Sequence, residues 1–233
     1  MFSIKLILRG LRRILGDAPV QKLPITPDIL LRLHPQFTSR SDSGFWAAML
    51  IGFYTSFRKS NLVPKSEKDF DPAKNLCCHD IIVRPWGLVI CVRWSKTIQF
   101  RERQLIIPVL RLSQGHPLCP VNAYERHILE FPVTQPSPAF LHYRKGDAAS
   151  ITHSAFTDKL RNVLSHAGFP DNKFSGHSFR RGGASYAFRC GALVELISLQ
   201  GDWSSDAVLR YIAQPLERRL SVAKLIAQNI DYS

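Results

Sequence analysis

The chain contains no Cys-x-x-Cys pair, and its five cysteines are an odd number without regular spacing. Cys77-Cys78-His79 is the one cluster, while Cys91, Cys119 and Cys190 stand alone. That distribution argues against a structural zinc site and reads as buried, reduced thiols of an intracellular protein. Long apolar runs are lacking too. The longest, Phe45 to Phe57, is broken by Gly52, Tyr54, Thr55 and Ser56 and is too short to span a bilayer. There is no internal repeat and no low-complexity tract. Acid is scarce: 18 Asp and Glu face 31 Lys and Arg, a net charge of +13. Such an excess points to a polyanionic partner, nucleic acid before a membrane surface.

The 233 residues fit one large domain, or one domain with an appendage, and the 45% apolar content is enough for a real core. Residues 1–16 pattern as a basic amphipathic helix carrying Lys5, Arg9, Arg12 and Arg13. It reads either as an Arg-rich transit peptide or as the tail of a preceding domain, followed by a Pro-containing linker over 17–24. Thr26-Pro27-Asp28 is a helix start, with a capping hydroxyl, Pro in the first turn and an acid at the positive end. Gly44 to Phe57 reads as a helix buried nearly all round.

Beyond Pro64 the period changes. His79–Arg84, Leu88–Trp94 and Gln104–Val109 are short β-branched runs, which predicts a small three-stranded antiparallel sheet. Pro120–Glu130 returns to helix, and Phe131–Pro138 is a Pro-rich loop. Thr152 caps a helix to about Ala167, ended by Gly168. His177–Cys190 is helical and closed by Gly191. Ala192–Gln200 and Ser205–Ala213 are shorter helices, and Pro215–Ile230 is a final basic one.

The last third carries the chemistry. His177 and Arg180 lie three apart, on one face of a helical turn. Gly176, Gly182 and Gly183 flank them and permit close backbone approach. Gly201-Asp202-Trp203 and then Tyr211 follow. Upstream, Arg58 sits at the end of the buried helix and Lys96 in the link between the second and third strands. Each has a plainer reading alone: a solvated helix end, an exposed hairpin lysine, a locally bonded histidine, a half-buried core tyrosine.

In this order the residues resemble the tyrosine recombinase (phage-integrase-like) family, whose catalytic domain is marked by Arg, a hairpin Lys, His-x-x-Arg, a His or Trp, and a nucleophilic Tyr. The resemblance covers about residues 21–230. Phe57-Arg58-Lys59-Ser60-Asn61-Leu62 and Gly201-Asp202-Trp203-Ser204-Ser205-Asp206 look most like recombinases of eukaryotic DIRS- and Crypton-type mobile elements. Two positions depart from the pattern. Asn61 replaces an acid, and Asp202 stands where the family has its His or Trp, with Trp203 one residue later. The resemblance implies an α+β, mainly α fold with residues 21–233 as the catalytic domain and 1–20 as the remnant of an N-terminal DNA-binding domain.

It also implies a mechanism. Tyr211 attacks a DNA phosphodiester to give a 3′-phosphotyrosyl link. Arg58 and Arg180 neutralise the phosphate, Lys96 protonates the leaving oxygen, and His177 assists. Trp203 can supply an indole N–H, whereas an Asp202 anion facing the phosphate would repel it. Lys59, Arg144, Lys145 and Arg181 are candidates to hold flanking phosphates. The implied partner is double-stranded DNA, with self-assembly on it, no membrane, no small-molecule substrate, no cofactor and no metal. The implied location is intracellular and nuclear. Three other readings stay open: a DNA-binding remnant that has lost turnover, an RNA-binding protein, and a type IB topoisomerase.

Overall fold

A computed structural model describes residues 21–98, 104–132, 136–204 and 206–212, together with 220, 224 and 227. The expected helix over 1–16 and most of that over 215–230 lie outside the described residues; Leu220, Lys224 and Ala227 are helical and exposed.

The order of elements is α1 (Pro27–Leu33), α2 (Ser43–Thr55), α3 (Lys59–Leu62), β1 (Ile81–Arg84), β2 (Gly87–Val92), β3 (Leu105–Leu110), α4 (Pro120–Glu130), β4 (Leu141–Arg144), β5 (Asp147–Ser150), α5 (His153–His166), α6 (Gly176–Arg189) and α7 (Val194–Gln200), then a 3-10 turn at Asp206–Arg210. The fold is mainly helical with small antiparallel sheets, the three-stranded one as the sequence predicts.

Helix α2 is the axis of the main core. Every residue of it but Tyr54 is buried, because its apolar residues cover the whole circumference. Thr26 caps α1 by accepting from the Ile29 N–H at 3.3 Å. Thr152 caps α5 through the Ala155 N–H at the same distance. The three-stranded sheet runs β1-β2-β3, with Ile81 opposite Ile90 and Ile90 opposite Ile107. Leu88, Ile90, Val92, Ile107 and Val109 turn inward, while Ile106 and Leu110 face out, the two-residue alternation of a half-buried sheet.

The structure corrects several expected boundaries. His79 and Asp80 belong to a 3-10 turn preceding β1, and the expected helix at 205–213 is instead the 3-10 turn at Asp206–Arg210. The β4–β5 hairpin was not anticipated from the sequence. Its turn has Lys145 at φ 54° and Gly146 at φ 94°, the paired positive φ of a type I′ turn. The Lys145-Gly146 pair between short runs was the available signal.

A second, smaller core of Ala184, Ile197, Trp203, Val208 and Ile212 gathers α6, α7 and the 3-10 turn. Helix α6 joins the two cores, with Phe179 in the first and Ala184 in the second. Gly182 and Gly183 permit this. A Cβ on Gly182 would lie 1.8 Å from the Ile25 carbonyl oxygen, and one on Gly183 would lie 2.0 Å from that of Phe53. The close approach expected at these glycines is to the protein's own backbone. No described helix is long and apolar enough to cross a membrane.

Candidate active site

Beside the second core lies a cleft of about 800 Å³ lined by Arg58, Lys96, His177, Trp203 and Tyr211 among others. These five come from four separate parts of the chain, and Arg180 is packed against them.

Arg58 is delivered by the end of α2. Ser56 takes the left-handed conformation at φ 54°, which stops the helix and turns the chain so that Arg58 is the extended residue preceding α3. Its Nη2 donates to the Asp202 carbonyl at 3.4 Å, and its Nη1 lies 3.6 Å from the Asp202 carboxylate.

Arg180 comes from α6 and is 1% exposed. Its Nη1 donates to the Ser56 carbonyl at 2.7 Å and to the Gly201 carbonyl. Its guanidinium carbon lies 3.4 Å from the centre of the Trp203 ring and 5.5 Å from that of Tyr211. Burial first, then the neighbouring Arg58 cation, pushes its pKa down to about 9. Both causes disfavour the cation, so an anion brought to this site is stabilised. Arg58 Nη1, Arg180 Nε and Arg180 Nη2 are buried without a hydrogen-bond partner among the described residues. A buried donor left unmade costs about 1–3 kcal/mol, a cost that a phosphate oxygen would remove.

His177 stands one turn before Arg180, its ring centre 6.5 Å from that of Tyr211. Desolvation, followed by the charges of Arg180, Arg58 and Lys59, holds its pKa below the ordinary histidine value, so the ring is neutral near pH 7. Tyr211 follows the 3-10 turn, its N–H bonded to the Val208 carbonyl at 2.8 Å and its own carbonyl accepting from Ser185 Oγ at 2.9 Å. Trp203 is edge-on to it, ring centres 5.5 Å apart. Lys96 sits in a turn closed by reciprocal backbone bonds between Ser95 and Ile98, each 3.2 Å.

Asp202 does not face the cleft as the sequence suggested. Its backbone is left-handed, φ 55°, and its fully shielded side chain turns inward. There it accepts from Ser95 Oγ at 2.5 Å and from Thr97 Oγ1. Gly201 leaves space for the indole: a Cβ there would lie 1.9 Å from a ring carbon of Trp203. Trp203 thus takes the position against Arg180.

Among the four candidate phosphate-holding residues, only Arg181 lines the cleft, its Nη1 donating to the Lys22 carbonyl at 3.2 Å. Lys59 Nζ donates to the His153 carbonyl at 3.2 Å and to Thr157 Oγ1 at 2.9 Å, which ties α3 to α5. Arg144 forms a two-pronged pair with Glu67 at 2.8 and 2.9 Å, and Lys145 is in the β4–β5 turn, away from the cleft lining. The structure adds Lys22 and Arg210 to that lining. Arg210 was legible only as the neighbour of Tyr211; nothing in the sequence singled out Lys22. Asn61 is buried. Of the thiols expected to be buried, Cys77 and Cys119 are, Cys78 and Cys91 are half-buried, and Cys190 is exposed. Ligand atoms of Cys77, His79 and Asp80 lie within 4.8 Å of one another. There, however, Asp80 is paired with Arg93 at 2.8 Å, and burial pushes the Cys77 thiol up to about 11.

No protein-family model matches the chain. An integrase/recombinase xerD homolog from Selenomonas ruminantium is 26% identical over 220 residues, 91% of this chain and 60% of the relative. Among solved structures, the XerH site-specific recombinase bound to its difH substrate aligns with a TM-score of 0.60 at 13% identity, over 89% of this chain and 55% of that one. The XerA recombinase gives 0.57 at 17% identity, over 92% and 66%. The Tn1549 transposon integrase with transposon right-end DNA gives 0.56 at 14% identity, over 93% and 70%. The chain spans about 60% of the length of the curated relative, and its fold is that shared by these recombinase structures.

Proposed function

We propose that this chain is the catalytic part of a site-specific DNA recombinase that cuts and rejoins strands through a covalent tyrosine link. The observation that carries this reading is the convergence on one cleft of a phenol, a lysine, a neutral imidazole and Arg58, with buried guanidinium N–H groups of Arg58 and Arg180 that make no hydrogen bond among the described residues.

The chemistry follows from the side chains. Tyr211 Oη attacks the phosphorus of a DNA phosphodiester, and the bond from phosphorus to the 5′-oxygen breaks. Lys96 gives that oxygen a proton. The phenolic proton passes to a neutral acceptor, for which His177 is poised. An ordinary phenol has a pKa of about 10 and needs the surrounding cations to become a useful nucleophile. Arg58 and Arg180 bind the non-bridging oxygens, and their planar cationic forks suit that task. A 5′-hydroxyl from a second strand then attacks the phosphotyrosine, restoring the tyrosine and a phosphodiester. The bond energy stays in the covalent link, so the cycle consumes no nucleotide.

The net charge of +13 and the cationic cleft support double-stranded DNA as the partner, held by its phosphates. Strand exchange requires several subunits on DNA, so self-assembly belongs to the same proposal. The wording around Arg58 and Trp203 supports a mobile-element origin of the DIRS or Crypton type, and with it a nuclear place of work. The rival reading, a DNA-binding remnant without turnover, rests on Asp202 and Asn61, which stand where the family pattern has other residues. The inward carboxylate of Asp202 removes the first of these two grounds.

The test is covalent trapping on supercoiled plasmid and nicked duplex, with a Tyr211→Phe control. A protein–DNA adduct that disappears in the control is expected. Salt-sensitive DNA binding without any adduct would favour the remnant, and plasmid relaxation without a partner strand would favour a topoisomerase.

A further inference from the structure

We infer that Asp202 is a positioning residue that fixes the Lys96 turn against Arg58, so that the proton donor and the phosphate-binding cation are set by one buried carboxylate. This rests on the strand-cleaving reading above.

Three stretches distant in sequence meet at this carboxylate. The residues on either side of Lys96, Ser95 and Thr97, both donate their hydroxyls to Asp202 Oδ2. Ser95 is 2% exposed and also accepts the Thr97 N–H at 3.1 Å. The same Oδ2 lies 3.6 Å from Arg58 Nη1, and the Asp202 carbonyl accepts from Arg58 Nη2 at 3.4 Å. A carboxylate with a fully shielded side chain is costly unless its charge and lone pairs are matched. The hydroxyls and the cation are therefore required together. With both flanking residues committed to Asp202, the backbone position of Lys96 is set, and its long side chain reaches into the cleft from a fixed base.

The left-handed backbone of Asp202 serves the same end. Asp tolerates that conformation better than most residues, and it directs the carboxylate inward while the next residue, Trp203, stacks on Arg180. A histidine at position 202 would lack the carboxylate oxygen that accepts both hydroxyls and would add another basic group beside Arg58, Arg180, His177 and Lys96.

The test uses Asp202→Gly, which removes the carboxylate while keeping the left-handed backbone free of strain, and Asp202→Asn, which keeps one acceptor. Two readouts are taken on the whole chain. In hydrogen exchange, the Thr97 and Ile98 amides should exchange at least about tenfold faster in Asp202→Gly while α2 amides are unchanged. In single-turnover cleavage, Asp202→Gly should slow adduct formation about 10²-fold, within the range of a lost general acid, with Asp202→Asn between it and wild type. A substrate whose 5′-bridging oxygen is replaced by sulfur leaves as a thiolate without needing a proton. On it, Asp202→Gly and Lys96→Ala should both return to within about threefold of wild type.

Unchanged exchange in the turn would overturn the inference. So would a cleavage loss that sulfur does not rescue, since Asp202 would then act through Arg58 alone. A wild-type protein that makes no adduct from either substrate would overturn the strand-cleaving reading itself, while the exchange arm would still decide whether Asp202 braces the turn.

Discussion

Replacing Arg180 by lysine keeps a positive charge and removes the planar fork, so it separates charge from geometry. In the structure Nη1 alone serves the Ser56 and Gly201 carbonyls, and Nε and Nη2 are buried without a hydrogen bond that meets standard geometry among the described residues. A lysine ammonium has three N–H groups on one nitrogen. If two satisfy those carbonyls, one at most remains for a phosphate, so at least one donor is lost. Losing one preorganised donor to a developing oxyanion costs about 3–4 kcal/mol, or about 10²–10³ in rate. If the shorter chain reaches only one carbonyl, the other is orphaned at about 1–3 kcal/mol of stability. Loss of the flat contact with Trp203 adds to that. The assay is single-turnover adduct formation on nicked duplex, beside duplex binding across a salt series and urea unfolding. The expected result is a cleavage rate 10²–10³-fold lower with binding within about threefold of wild type, because exposed cations supply most phosphate contacts. Cleavage within threefold of wild type at native stability would refute the argument. Arg180 would then be a structural clamp between the end of α2 and Gly201.

Two further outcomes concern stability. His127 is 3% exposed, accepts the Leu141 N–H on Nε2 at 3.4 Å, and has its pKa pushed down to about 4 by burial. With the folded value below the unfolded value of about 6.5, the unfolded state takes up the proton first as pH falls. Stability contributed by the neutral ring is intact above about 6.5 and is lost progressively toward 4. Urea unfolding at pH 5 should show about 2 kcal/mol less stability than at pH 7 from this group, and His127→Gln should remove that component; an identical pH slope in the variant would refute it. Gly183→Ala puts a methyl 2.0 Å from the Phe53 carbonyl oxygen. It should destabilise by at least about 1–3 kcal/mol, read from the urea midpoint, and a neutral substitution would mean that α6 can slide along α2.

Much of the fold was legible because its signals are local. The all-apolar run at 45–53 admits only a helix buried on every side, and the β-branched runs alternate in step with the pleat. The type I′ turn at Lys145-Gly146 was missed because Asp147-Ala148-Ala149-Ser150 lacks the β-branched residues that mark a strand. That hairpin is held by pairing with Leu141–Arg144. The 3-10 turn at Asp206–Arg210 has helical composition but packs as a single tight turn against α7 in the second core.

The sequence by itself determined the types and order of the chemical groups: Arg58, Lys96, His177 and Arg180, and Tyr211, in a chain with an excess of cations. Residue identity and spacing suffice for that, because they fix pKa classes, donor counts and which side chains share a helical turn. Only the tertiary structure decided which groups share the cleft, since Lys59 is spent on α5 and Arg144 on Glu67. The same holds for Asp202, which in sequence is an anion beside a phosphate site. Its left-handed backbone and the hydroxyls of Ser95 and Thr97, more than a hundred residues away, turn the carboxylate inward. The direction of a side chain depends on the partners that fold against it, and those partners are not its neighbours in sequence.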